Sequence, residues 1–179
     1  MNRGYFQKFQ IKDVVFLAIM SAVALATCAV MPLVISLQPL IFGISQLVTA
    51  LQIGVFFAIG LYKVRKPGSL LIMALMMGLI QLMMSPPMFL SSVLNGILIE
   101  LIVLLLFRGY EKDAAVFCAA MLHTPLSLPF NYLYNRLVKG ADSPLAAVAD
   151  RAPLATVGMT LAVVAVSALG ALIGIKIAR

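Results

Sequence analysis

The sequence predicts an all-α, polytopic membrane protein with six transmembrane helices, arranged as a single domain over residues 1–179. Two features of the composition support this prediction, since 63% of the residues are hydrophobic and only 11% are charged. A soluble domain of this size keeps roughly a quarter of its residues charged, so most of this surface must face lipid. The third observation is a series of apolar runs, most of them near the ~20 residues that a spanning helix needs.

The predicted spans are separated by short polar or proline-containing segments. Pro86-Pro87 separates the third span from the fourth, because neither residue donates a backbone hydrogen bond. Pro125 and Pro129 predict a kink or a partly unwound segment toward the end of the fifth span. The first apolar run is too long for the core of a signal peptide, so we expect it to be retained. The predicted spans are 14–35, 39–62, 69–86, 89–107, 114–135 and 152–175.

The lysines and arginines predict the orientation, because cytoplasmic loops of membrane proteins carry an excess of them. With the N-terminus placed inside, ten of the 13 basic residues fall in cytoplasmic segments and three fall outside. Both termini are therefore expected in the cytoplasm, as an even number of spans requires. The external basic residues are Arg136, Lys139 and Arg151.

One external loop is long enough to have a function of its own. It runs over residues 136–151, and loops of that length are often lids or binding loops. The alternative is a solvated connector. The other predicted external loops are a few residues around Leu37-Gln38 and the turn at Ser85-Pro86-Pro87.

Several classes of function lack support in this sequence. The net charge of +7 lies in short clusters between apolar runs, without the basic stripe that nucleic-acid binding requires. No Walker A motif occurs, and one histidine with two distant cysteines has no metal-ligand spacing. Cys28 and Cys118 lie in apolar runs and are expected to act as small hydrophobes. We therefore expect no enzymatic activity, no metal and no cofactor.

Polar residues inside the spans are the most informative signal, because an ionisable group at membrane depth usually faces a bundle interior or a cavity. Glu100 is the acidic residue near the middle of a span, and it shares one helical stripe with Ser92 and Gly96. We expect an ionised Glu100 at the floor of an external-facing pocket, with Asn95 on its flank, suited to an amine, amidine-like or cationic ligand. The alternative is a glutamate that bonds a neighbouring helix for assembly.

A second polar stripe lies on the fifth span. His123, Ser127, Asn131 and Asn135 recur every four residues, and Tyr132 lies beside them where its ring would stack on a flat ligand. The alternative is interhelical hydrogen bonding, which is common in membrane bundles. The candidate binding residues are Glu100, Asn95, His123, Asn131, Tyr132, Asn135 and Gln81.

Small residues mark surfaces on which another helix can approach closely. Ala18, Ala22 and Ala26 recur at four-residue spacing on the first span, and Gly170 and Gly174 do so on the last. Packing within the chain is one interpretation of both sets, and a surface for a partner protein is the alternative for the alanine face.

These features together resemble the substrate-binding S components of energy-coupling factor (ECF) transporters over essentially the whole chain. Within that group the chain is similar to the hydroxymethylpyrimidine/thiamine branch, although it lacks the tryptophan that thiamine-binding members use for stacking. The motifs that carry this second resemblance are Arg65-Lys66-Pro67-Gly68, Asn95-Gly96 with Glu100, and Phe130-Asn131-Tyr132.

The resemblance implies a vitamin or precursor binder in a prokaryotic cell membrane. It implies a transmembrane T subunit, with Ala18 and Ala22 at the contact, and two cytoplasmic ATPases whose work topples the chain and releases ligand inside. The alternatives are a small integral-membrane enzyme or a structural subunit of a larger complex.

Overall fold

The computed structural model describes residues 8–28, 34, 36–37, 40–83, 85–140 and 143–179. Within these ranges the chain forms seven α-helices and no strand, as the predicted all-α class requires. The helices are α1 (Ile11–Thr27), α2 (Ile44–Val64), α3 (Ser69–Leu82), α4 (Pro86–Phe107), α5 (Asp113–Val138), α6 (Pro144–Arg151) and α7 (Pro153–Ala178).

Each of the six predicted spans coincides with a helix, and three of these helices are long and apolar enough to cross a membrane: α2, α4 and α7. Helix α1 has 17 residues and α3 has 14, while α5 has 26 but carries the polar stripe. Beyond Cys28, most of the residues predicted to complete the first span lie outside the described residues. The count of six crossings and the cytoplasmic termini therefore stay predictions.

Helix boundaries follow from residues that suit a chain reversal. Gly68 precedes α3 at φ +93°, a conformation that residues with a Cβ rarely adopt. Helix α4 begins at Pro86-Pro87, where the missing N–H groups would have had no helical partner. The break predicted from these prolines is confirmed.

Helix α5 continues through both of its prolines to Val138, so the partial unwinding predicted there is wrong. Pro125 has no N–H to donate to the carbonyl of Met121, four residues earlier. The Ser167 hydroxyl of α7 donates to that carbonyl instead, at 2.8 Å. A neighbouring helix thus supplies the hydrogen bond that the proline removes.

Helix α7 lies very close to α2. A Cβ atom on Gly170 would lie 2.5 Å from the carbonyl oxygen of Leu51, and one on Gly174 would contact the carbonyl oxygen of Val55 more closely still. The small residues of the last span therefore serve packing within the chain, which was the interpretation offered for them from the sequence.

The segment 136–151, predicted to be an external loop, is not a simple loop. Helix α5 extends into it, and α6 occupies its second half. Ala146 and Ala149 are buried, and α6 packs against a cluster that includes Phe42, Leu128 and Val163. A short docked helix thus replaces half of the predicted loop.

Candidate functional site

A cavity of about 120 Å³ lies at one end of the bundle, among five helices. The end of α1 contributes Leu25 and Cys28, and the start of α2 contributes Ser45, Gln46, Thr49 and Ile53. The end of α3 contributes Met77 and Gln81, and the start of α4 contributes Met88, Ser91, Ser92 and Asn95. The middle of α5 contributes His123, Thr124, Ser127 and Asn131. A single water needs only ~10–15 Å³ by this kind of measure, so the space holds several waters or a small molecule.

Several hydroxyl groups on the cavity wall already have partners. Ser92 Oγ donates to Gln81 Oε1 at 2.6 Å, which joins α4 to α3. Thr49 Oγ1 donates to the carbonyl of Ser45 at 2.9 Å, and Ser127 Oγ donates to the carbonyl of Thr124 at 2.7 Å. These groups shape the wall and leave other polar atoms to meet a ligand.

The deepest polar atoms have no hydrogen-bond partner among the described residues. They are Asn95 Oδ1, both ring nitrogens of His123, and Thr124 Oγ1. These three side chains are only 1%, 4% and 3% exposed, so bulk water does not reach them freely. A buried polar group without a partner costs about 1–3 kcal/mol, which favours occupation of the cavity by something that forms hydrogen bonds.

The His123 ring is held by packing. Its centroid lies 4.3 Å from that of Phe57, with the ring planes inclined at 44°. Phe57 is fully buried on α2, so it fixes the imidazole against one side of the bundle. The contact leaves the two nitrogens at the ring edge available for hydrogen bonds.

Four of the predicted binding residues come together in this cavity: Asn95, His123, Asn131 and Gln81. Tyr132 and Asn135 are not among its lining residues. Tyr132 donates to Asp150 at 2.8 Å and accepts from Arg136 at 2.9 Å, so it anchors α6 to α5.

Asn135 serves the same junction as Tyr132. It accepts a hydrogen bond from Ser143 at 3.0 Å and donates to the carbonyl of Asn131 at 2.8 Å. Asp150 is also paired with Arg136. The stacking role predicted for Tyr132 has no support in this arrangement, because its hydroxyl is engaged at the surface.

Glu100 is not among the residues that line the cavity, so the position predicted for it at the cavity floor is wrong. Its Oε1 accepts from the Gly68 N–H at 2.6 Å, and its Oε2 accepts from the Tyr110 hydroxyl at 2.9 Å. Glu100 therefore caps the start of α3 at the far end of the bundle. It matches the alternative interpretation, in which the glutamate bonds a neighbouring helix.

The stripe that contains Glu100 is the interface between α4 and α3. Ser92 meets Gln81 at the end of α3, and a Cβ on Gly96 would lie 2.6 Å from the Cβ of Ala74 in its middle. Glu100 meets Gly68 at its start. Ser92, Gly96 and Glu100 share one face of α4, as predicted, but the antiparallel helix α3 covers most of that face.

Sequence reasoning missed several lining residues, including Ser45, Thr49, Thr124 and Ser91. Single hydroxyl-bearing residues are common in membrane helices, so none of them gave a distinctive signal. Thr49 follows Ser45 by one helical turn, and such a pair near the start of a span was the signal available.

Ion pairs gather at the end of the bundle opposite the cavity. Asp113 is bound by Arg65 at 2.6 Å and by Arg179 at 2.7 Å, and Lys66 binds Asp13 at 2.6 Å. Asp113 lies one residue ahead of the predicted span 114–135. Hydrogen bonds from Arg179 and Arg65 hold the pKa of its carboxyl below the usual value. These pairs join the ends of α1, α2, α3, α5 and α7 at the level of the predicted cytoplasmic loops.

Tyr110 lies in the turn after α4 and is fully buried. Burial raises the pKa of its phenol well above the usual value, and the neighbouring Glu100 carboxylate raises it further. Tyr110 is therefore a neutral hydrogen-bond donor at physiological pH. It fixes Glu100 in its capping role.

The alanine face of α1 points away from the core. Ala22 and Ala26 are exposed and Ala18 is half-buried, whereas Leu17, Ser21 and Ala24 are buried on the opposite face. Ile19 beside them is 50% exposed. The described part of the chain leaves this face uncovered, so the partner contact predicted there stays a prediction.

The described part of the chain contains no cluster of side chains that could bind a metal ion. No group of three or more His, Cys, Asp or Glu side chains gathers there with a geometry for an ion.

Comparison with known proteins gives one match. The family model described as "Hypothetical bacterial integral membrane protein (Trep_Strep)" matches residues 11–179. No curated protein and no solved structure matches the chain.

Proposed function

Because the chain belongs to the Trep_Strep family of bacterial integral membrane proteins, we propose that it is the substrate-binding S component of an ECF-type uptake transporter. Its ligand would be a vitamin or a related micronutrient, and the hydroxymethylpyrimidine/thiamine branch is part of this proposal. The protein would sit in the bacterial cell membrane and cross it six times.

The observation that carries the proposal is the group of unpartnered polar atoms on the cavity wall. Asn95, His123 and Thr124 come from two different helices and are buried at the deep side of one cavity. A buried polar group without a partner costs free energy, and a ligand that pairs with these atoms recovers it. A purely structural subunit has no need of this arrangement.

Binding is favoured over catalysis by the chemistry of the wall. Apart from the Cys28 thiol, His123 is the titratable side chain among the described lining residues. Glu100 would be the natural partner for acid–base chemistry, but it caps α3 through Gly68. A hydrolytic or transfer reaction needs a second group beside the histidine.

The proposed topology places the cavity on the external side. Lys66, Arg65 and Arg179 lie at the opposite end, in ion pairs that join the helix termini. With that end in the cytoplasm, where basic residues accumulate, a scavenged nutrient would reach the cavity from outside. The partner ATPases would then drive the chain to topple and release the ligand inside.

A pull-down from the native bacterium tests the proposed assembly. We expect the tagged chain, solubilised in mild detergent, to retain a transmembrane T subunit and two ATPases that carry Walker A motifs. Ala22→Leu should remove these partners, because a bulky side chain on the exposed alanine face blocks close helix approach. The matched control is Leu105→Ala on α4, where Leu105 is 80% exposed. Absence of ATPases from the wild-type complex would contradict the proposal.

A further inference from the structure

We propose that the cavity selects an uncharged small molecule with a hydrogen-bonding edge and an apolar body. This inference rests on the proposed function and names the class of ligand for the same site. It replaces the cationic ligand expected from the sequence, because that expectation depended on Glu100 at the cavity floor.

The cavity wall offers a cation no counter-charge. None of the described lining residues is Asp, Glu, Lys or Arg, and none is Phe, Tyr or Trp. A cation is therefore denied both an ion pair and an aromatic face. Burying an unpaired charge in such a place is strongly unfavourable.

The cavity does not favour an anionic ligand either. The starts of α2 and α4 bring amide ends to the cavity, but the ends of α1 and α3 bring carbonyl ends to the same region. The partial charges of these helix ends are opposite in sign and offset each other. With no arginine or lysine on the wall, a neutral ligand is the best match.

The polar edge of the ligand is defined by three side chains. Asn95 Oδ1 requires a donor, and the Thr124 hydroxyl serves as donor or acceptor. The two ring nitrogens of His123 also lack partners, and a neutral imidazole has one donor and one acceptor. The ligand should therefore carry both N–H or O–H donors and carbonyl or ring-nitrogen acceptors. A primary amide or an amino-substituted heterocycle has this combination on one edge.

Beside its polar groups, the wall has an apolar part. Leu25, Ile53, Met77, Met88 and Cys28 line it, and thioethers adapt well to flat rings. A small neutral heteroaromatic molecule fits both parts of the wall. Molecules with a fixed positive charge are disfavoured, so within the hydroxymethylpyrimidine/thiamine branch the neutral pyrimidine is favoured over thiamine.

Pairs of probes with similar shape and different charge test the proposed preference for uncharged ligands. We would titrate benzamide against benzamidine, and nicotinamide against 1-methylnicotinamide, into the detergent-solubilised full chain. The neutral member of each pair should bind at least ~10-fold more tightly, which corresponds to ~1.4 kcal/mol. Equal or tighter binding of the cationic members would overturn the inference, as would failure of both neutral probes to bind at millimolar concentration.

A variant that introduces a charge into the cavity wall tests the proposal more directly. Asn95→Asp keeps the shape of the side chain and adds a carboxylate, so it should raise benzamidine affinity and lower benzamide affinity. Gln81→Glu makes the same change at a half-buried position and serves if Asn95→Asp does not fold. A folded variant that fails to gain benzamidine affinity would refute the assigned site. If the chain prefers the neutral probes but retains no ATPase partners, only the proposed transport role is refuted. If the chain prefers the cationic probes, only the inference about the charge of the ligand is refuted.

Discussion

Replacement of Glu100 should destabilise the fold rather than abolish binding. The Gly68 N–H at 2.6 Å and the Tyr110 hydroxyl at 2.9 Å both donate to this carboxylate, which is 7% exposed. Glu100→Ala leaves both donors without a partner. Each such loss costs about 1–3 kcal/mol, so the free energy of unfolding should fall by about 2–6 kcal/mol.

Two milder variants separate the contributions of the two hydrogen bonds to stability. Tyr110→Phe removes one donor and keeps the carboxylate, so it should cost about 0.5–3 kcal/mol. Glu100→Gln keeps an acceptor for the Gly68 N–H and loses the charge. The double variant Glu100→Gln/Tyr110→Phe should cost less than the sum of the single changes, because both remove the same hydrogen bond.

The assay is reversible unfolding in mixed micelles, combined with titration of benzamide or nicotinamide into each folded variant. We expect a lower unfolding midpoint for Glu100→Ala and unchanged affinity wherever the protein remains folded. A variant with wild-type stability and lost affinity would place the carboxylate in the binding site. That result would refute the role of Glu100 as the cap of α3 through the Gly68 N–H.

The other predictions concern topology, packing and the partner face. Cysteines at Lys66 and Lys139 should be labelled from opposite sides of the membrane, and labelling from one side would contradict the six-span topology. Ser167→Ala should lower the free energy of unfolding by about 1–3 kcal/mol, because it leaves the Met121 carbonyl without a partner, and an unchanged unfolding midpoint would contradict that role. Ala22→Leu should leave benzamide affinity unchanged while partner assembly is lost, and surviving assembly would place the contact elsewhere.

The positions of the helices could be predicted from the sequence because apolar runs and prolines report directly on helix length and breaks. Pro86-Pro87 marked the break before α4, and the run after Ala152 marked α7. Helix α6 could not be predicted in this way. Its eight residues are far fewer than the ~20 of a spanning helix, and it docks by burying the small side chains of Ala146 and Ala149 against other helices.

The candidate site could be predicted only in part. Asn95, His123 and Asn131 were found because polar residues at membrane depth are rare and informative. Glu100 was misplaced because a helical stripe shows which residues share a face, but not which neighbour covers that face. Only the antiparallel packing of α3 against α4 reveals that Glu100 meets Gly68.

Mass spectrometry of small molecules retained by the gently purified chain tests the binding function most directly. The comparison includes wild type, His123→Leu and the control Leu105→Ala, each checked for an intact unfolding transition. We predict that wild type and the control retain the same uncharged small molecule and that His123→Leu loses it. A wild-type protein that retains nothing, or a folded His123→Leu that retains the same molecule, would contradict a binding role for this cavity.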